Sequence, residues 1–183
     1  MKELAFIVGI LAVCIYLLGY LQKKRKAIIL LNLTSRVLYV VQYILLGAFE
    51  GAGLDICGAI SSVLAQRKDS KFIKKYSLPC FILVNIAIIA VGIILWSDAY
   101  SILPIIGVLL HTSAFWLSDE KYIRIVSLLG CPFWLVYNFA NAAYGSCIGD
   151  LLSITFIVYS IIRYDIPKSK RYNKKKNDNT LDS

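Results

Sequence analysis

The feature that most limits what this chain can fold into is the spacing of its charges. Lys, Arg, Asp and Glu are bunched at residues 23–26, 67–75 and 119–124 and after Arg163, and the stretches between them are almost free of charge. A soluble domain of 183 residues has too little interior to hide a chain that is 58% hydrophobic and only 17% charged. Helices that cross a bilayer have no such problem, because lipid accepts their apolar faces.

Seven apolar segments are legible, at residues 4–21, 27–48, 52–66, 78–96, 101–116, 122–145 and 147–164. A hydrocarbon core wants about 20 helical residues, so the third and fifth are short. Tyr100 and Trp116 bracket the fifth as interfacial anchors. With seven spans the basic loops and the tail share one side, and of the 20 Lys and Arg only Lys2 lies opposite and Arg36 inside a helix. The positive-inside rule then sets the N-terminus outside and the C-terminus in the cytoplasm, and accounts for most of the net charge of +9. The expectation is an all-α, polytopic membrane domain over residues 1–165, its first segment a retained helix rather than a cleaved signal. Residues 166–183 read as a basic, disordered cytoplasmic tail drawn to anionic headgroups. Nucleic acid is not an expected partner, since the tail shows no recognisable binding fold.

The second and third segments resemble the sixth and seventh. A slide of about 95 residues sets Tyr39 on Trp134, Ala48 on Ala143, Phe49 on Tyr144 and Asp55 on Asp150. A three-helix unit leaves the bilayer on the face opposite the one where it starts, so a parallel repeat needs one extra crossing. The fourth segment supplies it, which predicts a 3+1+3 plan with a first bundle at 1–76, a linker helix at 77–97 and a second bundle at 98–165.

Polar residues fall where lipid rejects them. Asn32, Ser35, Arg36, Tyr39 and Gln42 advance by threes and fours, a stripe down one helical face that must look inward. Arg36 either ties helices together or lines a solvated pathway. Ser127, Gly130, Cys131, Trp134, Tyr137, Asn138 and Asn141 repeat the theme on the sixth segment, where Pro132 removes a backbone donor and predicts a kink. Asp55 and Asp150 read as helix caps or as a protonatable pair. Side chains lean toward their own helix N-termini, so Arg36 leans inward and Asp55 outward, leaving an ion pair between them open. His111, the only histidine, reads as a hydrogen-bonded packing residue. The five cysteines lie in apolar runs without zinc spacing, and no nucleophile–base pair or phosphate loop is present, so neither catalysis nor a metal or cofactor is expected.

The basic run before the second segment, the stretch from Gln42-Tyr43 to Gly47, Gln66-Arg67-Lys68, Gly130-x-Pro132-Phe133-Trp134-Leu135-x-Tyr137-Asn138, Gly149-Asp150 and Ile162-Arg163-Tyr164-Asp165 resemble the YgjV-type bacterial inner-membrane family. The helix plan resembles the SWEET and PQ-loop transporters, and the seven-helix nicotinamide riboside carriers share it. That second resemblance implies sugar-facing positions at Ser35 and Tyr39, at Gly130 and Trp134, and at Asp55 and Asp150, although only Ser35 and Trp134 match by residue type. The functional expectation is an alternating-access carrier or facilitator in the bacterial inner membrane for a small polar solute, sugar, nucleoside or similar. Its substrate site would be built from Asn32, Ser35, Arg36, Tyr39, Gln42, Asp55, Trp134, Tyr137, Asn138 and Asp150. The alternative is a membrane scaffold or accessory subunit whose polar residues lock helices together; a homo-oligomer is compatible with both.

Overall fold

The computed structural model describes residues 2–167, apart from the side chains of Lys2 and Phe72, and these residues are helical with short connections. The elements are α1 (Lys2–Tyr20), α2 (Arg25–Leu46), α3 (Phe49–Gln66), the short α4 (Lys71–Lys75), α5 (Ser77–Ile94), α6 (Ile102–Trp116), α7 (Glu120–Ala140) and α8 (Tyr144–Ser160). A 3₁₀ turn, Ala99–Ser101, leads into α6, and a π-helical turn, Ile161–Asp165, extends α8. Pro79 and Pro104 sit in first turns, where a missing backbone N–H leaves no helical bond unmade. α7 is continuous through Pro132.

Boundaries differ from the sequence reading where turns are apolar. α3 and α8 each start three residues earlier than expected, and α7 stops at Ala140 rather than running to 145. Two left-handed residues explain this. Gly47 (φ 75°) and Ala142 (φ 54°) end α2 and α7. The next residues, Ala48 and Ala143, return the chain with nearly equal dihedrals, and each donates its N–H to a carbonyl of the helix just ended, Tyr43 and Asn138, at 2.9 Å. The basic tail expected at 166–183 lies outside the described residues beyond Pro167.

Six of these helical stretches are long and apolar enough to cross a membrane. α3 has 18 residues but is not among them, because Glu50, Asp55, Ser61 and Ser62 lower its apolar character. Those four side chains are buried, while Phe49, Ile56, Ile60 and Val63 are exposed. The same inversion holds throughout: Arg36, Asp55, Arg124 and Asp165 are inside, and leucines, isoleucines and phenylalanines cover the outside. Water would reject that surface, and lipid accepts it. α5 is the extreme case, with Val84, Ile88 and Gly92 alone fully covered.

The helix neighbours fall into a closed ring: α1 packs on α2, α2 on α3, α3 on α6, α6 on α7, α7 on α8, and α8 on α1. α5 sits outside it against α3 and α6. Exchanging α1, α2 and α3 for α6, α7 and α8 leaves the ring unchanged. One end of the bundle gathers the basic connections: Gln66 Nε2 donates to Lys26 O, Lys68 Nζ to Trp116 O, and Lys23 lies over the Tyr164 ring. It is called the basic end below, and the other the far end.

Candidate functional site

Midway along the ring α2, α3, α6, α7 and α8 turn polar groups into a shared cavity, with Tyr16 contributed by α1. It measures about 30 Å³ and is lined by Tyr16, Asn32, Ser35, Arg36, Tyr39, Tyr43, Asp55, His111, Trp134, Asn138 and Asp150. That is room for about two waters. Arg36 is 4% exposed and Trp134 7%, so both face the interior and neither meets lipid.

The α2 stripe builds one wall. Arg36 donates through Nη1 to Asp55 Oδ1 at 2.5 Å and through Nε to Asn32 Oδ1 at 2.9 Å. The pair left open by the sequence is therefore formed. Asp55 lies across the α2–α3 turn, and Arg36 is long enough to reach it. Gly58, on α3, makes the room: a Cβ there would strike the guanidinium. Ser35 Oγ closes on the Asn32 carbonyl at 2.7 Å.

The opposite wall comes from α7 and α8. Tyr43 donates its hydroxyl to Asn138 Oδ1 at 2.8 Å, and Asn138 Nδ2 donates to Asp150 Oδ2 at 2.8 Å. The rings of Tyr39, Tyr43 and Trp134 follow one another at 6.4 and 6.2 Å, each consecutive pair tilted by less than 30°. Gly107 lets the indole lie against α6, where a Cβ would come within 2.7 Å of it. On the basic side of the cavity His111 Nε2 is 2.9 Å from Ser127 O and 3.3 Å from Tyr16 Oη. A carbonyl only accepts, so Nε2 carries the hydrogen.

Of the ten expected site residues, eight line the cavity. Gln42 and Tyr137 do not. Gln42 turns toward α1 and α8, fills the space left by Gly9, and accepts from Ser146 Oγ at 2.8 Å. Tyr137 accepts from the backbone N–H of Gly51 at 3.0 Å. Both belong to a layer that closes the far end. His111, expected to be a hydrogen-bonded packing residue, is hydrogen-bonded and also borders the cavity. Tyr16 and Tyr43 were missed. The usable signal was interval: Tyr43 stands 95 residues before Asn138 and Tyr16 95 before His111, and each touches that partner.

Two arginines close the basic end. Arg25 donates to the carbonyls of Leu117 (2.9 Å), Phe115 (2.6 Å) and Ala65 (2.8 Å), tying α2 to the ends of α3 and α6. Arg124 donates to Gln22 O (2.9 Å) and Asp165 Oδ1 (2.7 Å), tying α7 to the ends of α1 and α8. Gln22 and Leu117, whose carbonyls these arginines bind, stand at the same 95-residue interval. Lys68, outside the spans, caps Trp116 and Leu117, and burial followed by Arg25's charge pushes its ammonium pKa down.

Among the described residues no group of His, Cys, Asp and Glu is arranged to hold a metal. No curated protein and no solved structure matches the chain. A family model described as bacterial inner membrane protein, Imp-YgjV, matches residues 3–168. With nearly its whole described length matched, and with apolar helices around a polar interior, the chain belongs to the Imp-YgjV family of multi-pass bacterial inner membrane proteins.

Proposed function

We propose that the protein is a non-catalytic carrier of small polar solutes that works by alternating access between two three-helix bundles. In this reading α3 is a seventh span, α1–α3 and α6–α8 are the bundles, and α5 is the linker, the 3+1+3 plan of SWEET-like carriers. The basic end faces the cytoplasm and the N-terminus lies outside. Support comes from the ring of helix neighbours, unchanged when the two triplets are exchanged, and from the 95-residue interval between touching residues.

The observation that carries the proposal is the polar cavity itself, lined from both triplets by Arg36, Asp55, Asn138 and Asp150 at a depth where lipid disfavours each charge by about 2.5–3.5 kcal/mol. Hydrogen bonds between the triplets bound it on both sides, so one layer can part while the other holds. Tyr43–Asn138, Gly51–Tyr137 and Gln42–Ser146 serve the far end, and the Arg25 and Arg124 contacts serve the basic end. The cavity is too small for a sugar, and in this reading the structure corresponds to an occluded state.

That small volume favours a second reading, a scaffold whose polar seam merely locks helices. Uptake into proteoliposomes separates the two. A carrier accumulates a solute that also raises its thermal stability in detergent, and loses uptake in Trp134→Ala and Asn138→Ala. A scaffold gives neither signal, and uptake unchanged in both variants overturns the site assignment.

A further inference from the structure

The two halves of the cavity are not electrically equivalent. At the 95-residue interval Asp55 corresponds to Asp150 and Arg36 to Cys131. Asp55 has its cation, Arg36, at 2.5 Å. In the second half the corresponding side chain is a thiol, 1% exposed and turned to Ser127 O at 3.4 Å. Asp150 receives the neutral amide of Asn138 instead. Among the described residues lining the cavity, two carboxylates thus face one guanidinium, while His111 turns its Nε2 to a carbonyl and a tyrosine rather than to either acid.

Asp150 is half-buried, and a carboxylate so placed among membrane helices is costly without a counter-charge. The surrounding groups show what kind would fit. Tyr39, Tyr43 and Trp134 border the same cavity with near-parallel rings. Aromatic faces beside a carboxylate attract an ammonium group by both the ring quadrupole and the full charge. The Asn138 carbonyl oxygen is already engaged by Tyr43, so the second acceptor next to Asp150 is occupied and the acid itself is what remains for a donor. A cavity of about 30 Å³ has room for a small cationic head as it stands.

We propose that this site takes the ammonium head of a small organic amine, with Asp150 as its counter-ion and the Tyr39–Tyr43–Trp134 rings as its apolar wall. This deepens the carrier reading by naming its substrate class, and rests on that reading for the site being a solute site at all.

The test is thermal unfolding and calorimetric titration of the full-length protein in detergent with methylammonium, ethanolamine, ethylene glycol and sodium. The amines are expected to raise Tm by about 3 °C at ten times Kd. Ethylene glycol, an uncharged counterpart of ethanolamine, and sodium are expected to leave it unchanged. Asp150→Asn keeps the shape and the Asn138 contact but not the charge, and is expected to lose the amine response; Trp134→Leu is expected to weaken it by about tenfold. No response to either amine overturns the proposal. So does an equal response to ethylene glycol or to sodium, or an Asp150→Asn protein that binds amine as the parent does. Should Asp150→Asn fail to fold, infrared difference spectra of the parent decide: amine must perturb a carboxylate stretch that ethylene glycol leaves alone, and an unperturbed band overturns the assignment. Counterflow of labelled ethanolamine in proteoliposomes then separates the two claims. Binding without counterflow keeps the amine site and ends the carrier reading, whereas uptake of a neutral solute without amine binding does the reverse.

Discussion

Gly47 and Ala142 hold the same left-handed backbone at the interval of 95 residues that also separates Tyr43 from Asn138 and Tyr16 from His111. Among the described residues they are the ones with positive φ, and each ends the long helix of its triplet. The residue types differ, glycine in one turn and alanine in the other, yet the backbone conformation is the same.

The pair gives a matched prediction. Nothing lies within 4 Å of a Cβ added at Gly47, so Gly47→Ala meets no steric obstacle and incurs only left-handed strain, about 1 kcal/mol. Ala142 already carries that strain, so Ala142→Gly is expected to stabilise by up to about 1 kcal/mol, less the extra freedom of the unfolded chain. Melting in detergent should move in opposite directions for the two variants. Equal signs would mean the two turns are not energetically alike.

The inward stripe on α2 was legible because polar residues at helical spacing in an apolar run have one place to go. Arg36 followed from that, and Trp134 from the same pattern on α7. Tyr43 was harder to find. Tyrosine is as common at a membrane interface as in an interior, and Gln42, one position earlier, looked the better candidate. Adjacent helical residues point about 100° apart, and here Tyr43 turns into the cavity while Gln42 turns toward α1 and α8. Gly9 opposite Gln42 decides which, and that packing is invisible in a linear reading. The Arg36–Asp55 pair was left open by rotamer direction, but a long flexible guanidinium overrides that tendency where a glycine clears its path. The buried serines and acids of α3 lower its hydropathy, and by length and composition it is not among the helices apolar enough to cross a membrane.

Gly58 should therefore behave as part of the site although it does not itself line the cavity. An added methyl collides with the Arg36 guanidinium, which is pinned by Asp55 and Asn32 and has little freedom to yield. Gly58→Ala is expected to destabilise by about 1–3 kcal/mol and to reduce solute binding along with Arg36→Gln. In a double-mutant cycle the two changes should be strongly non-additive; full additivity would show that Gly58 does not act through Arg36.

The Arg124–Asp165 pair is buried on both sides, with Arg124 Nε and Asp165 Oδ2 lacking protein partners. Removing one member leaves a bare charge. Asp165→Asn and Arg124→Gln are each expected to cost about 3–5 kcal/mol, and the double variant less than their sum. Arg25, which binds three carbonyls and no acid in the corresponding role, should cost less when changed to Gln, about 1–3 kcal/mol. Urea or thermal melts rank the four variants, and an Arg25→Gln loss larger than that of Arg124→Gln contradicts this ordering.

The far-end layer offers the most direct reading of motion. Tyr43 gives its hydroxyl hydrogen to Asn138, and Tyr137 takes one from Gly51; Tyr43→Phe and Tyr137→Phe delete both bonds with little change in volume. Each bond in a membrane interior contributes about 0.5–1.7 kcal/mol, enough jointly to shift the balance between closed and open far-end states by about fivefold or more. Cys131, 1% exposed and in one cluster with Tyr16 of the cavity lining, reports that shift. In a protein whose other cysteines are replaced by alanine, a small membrane-impermeant thiol reagent added from the far end should label Cys131 at least several-fold faster in the double-Phe variant than in the parent. Reagent applied from the basic end should show no such gain, because Arg25 and Arg124 still hold that side. Equal acceleration from both ends would mean the bundle loosens as a whole, and the two layers would then not act as separate gates.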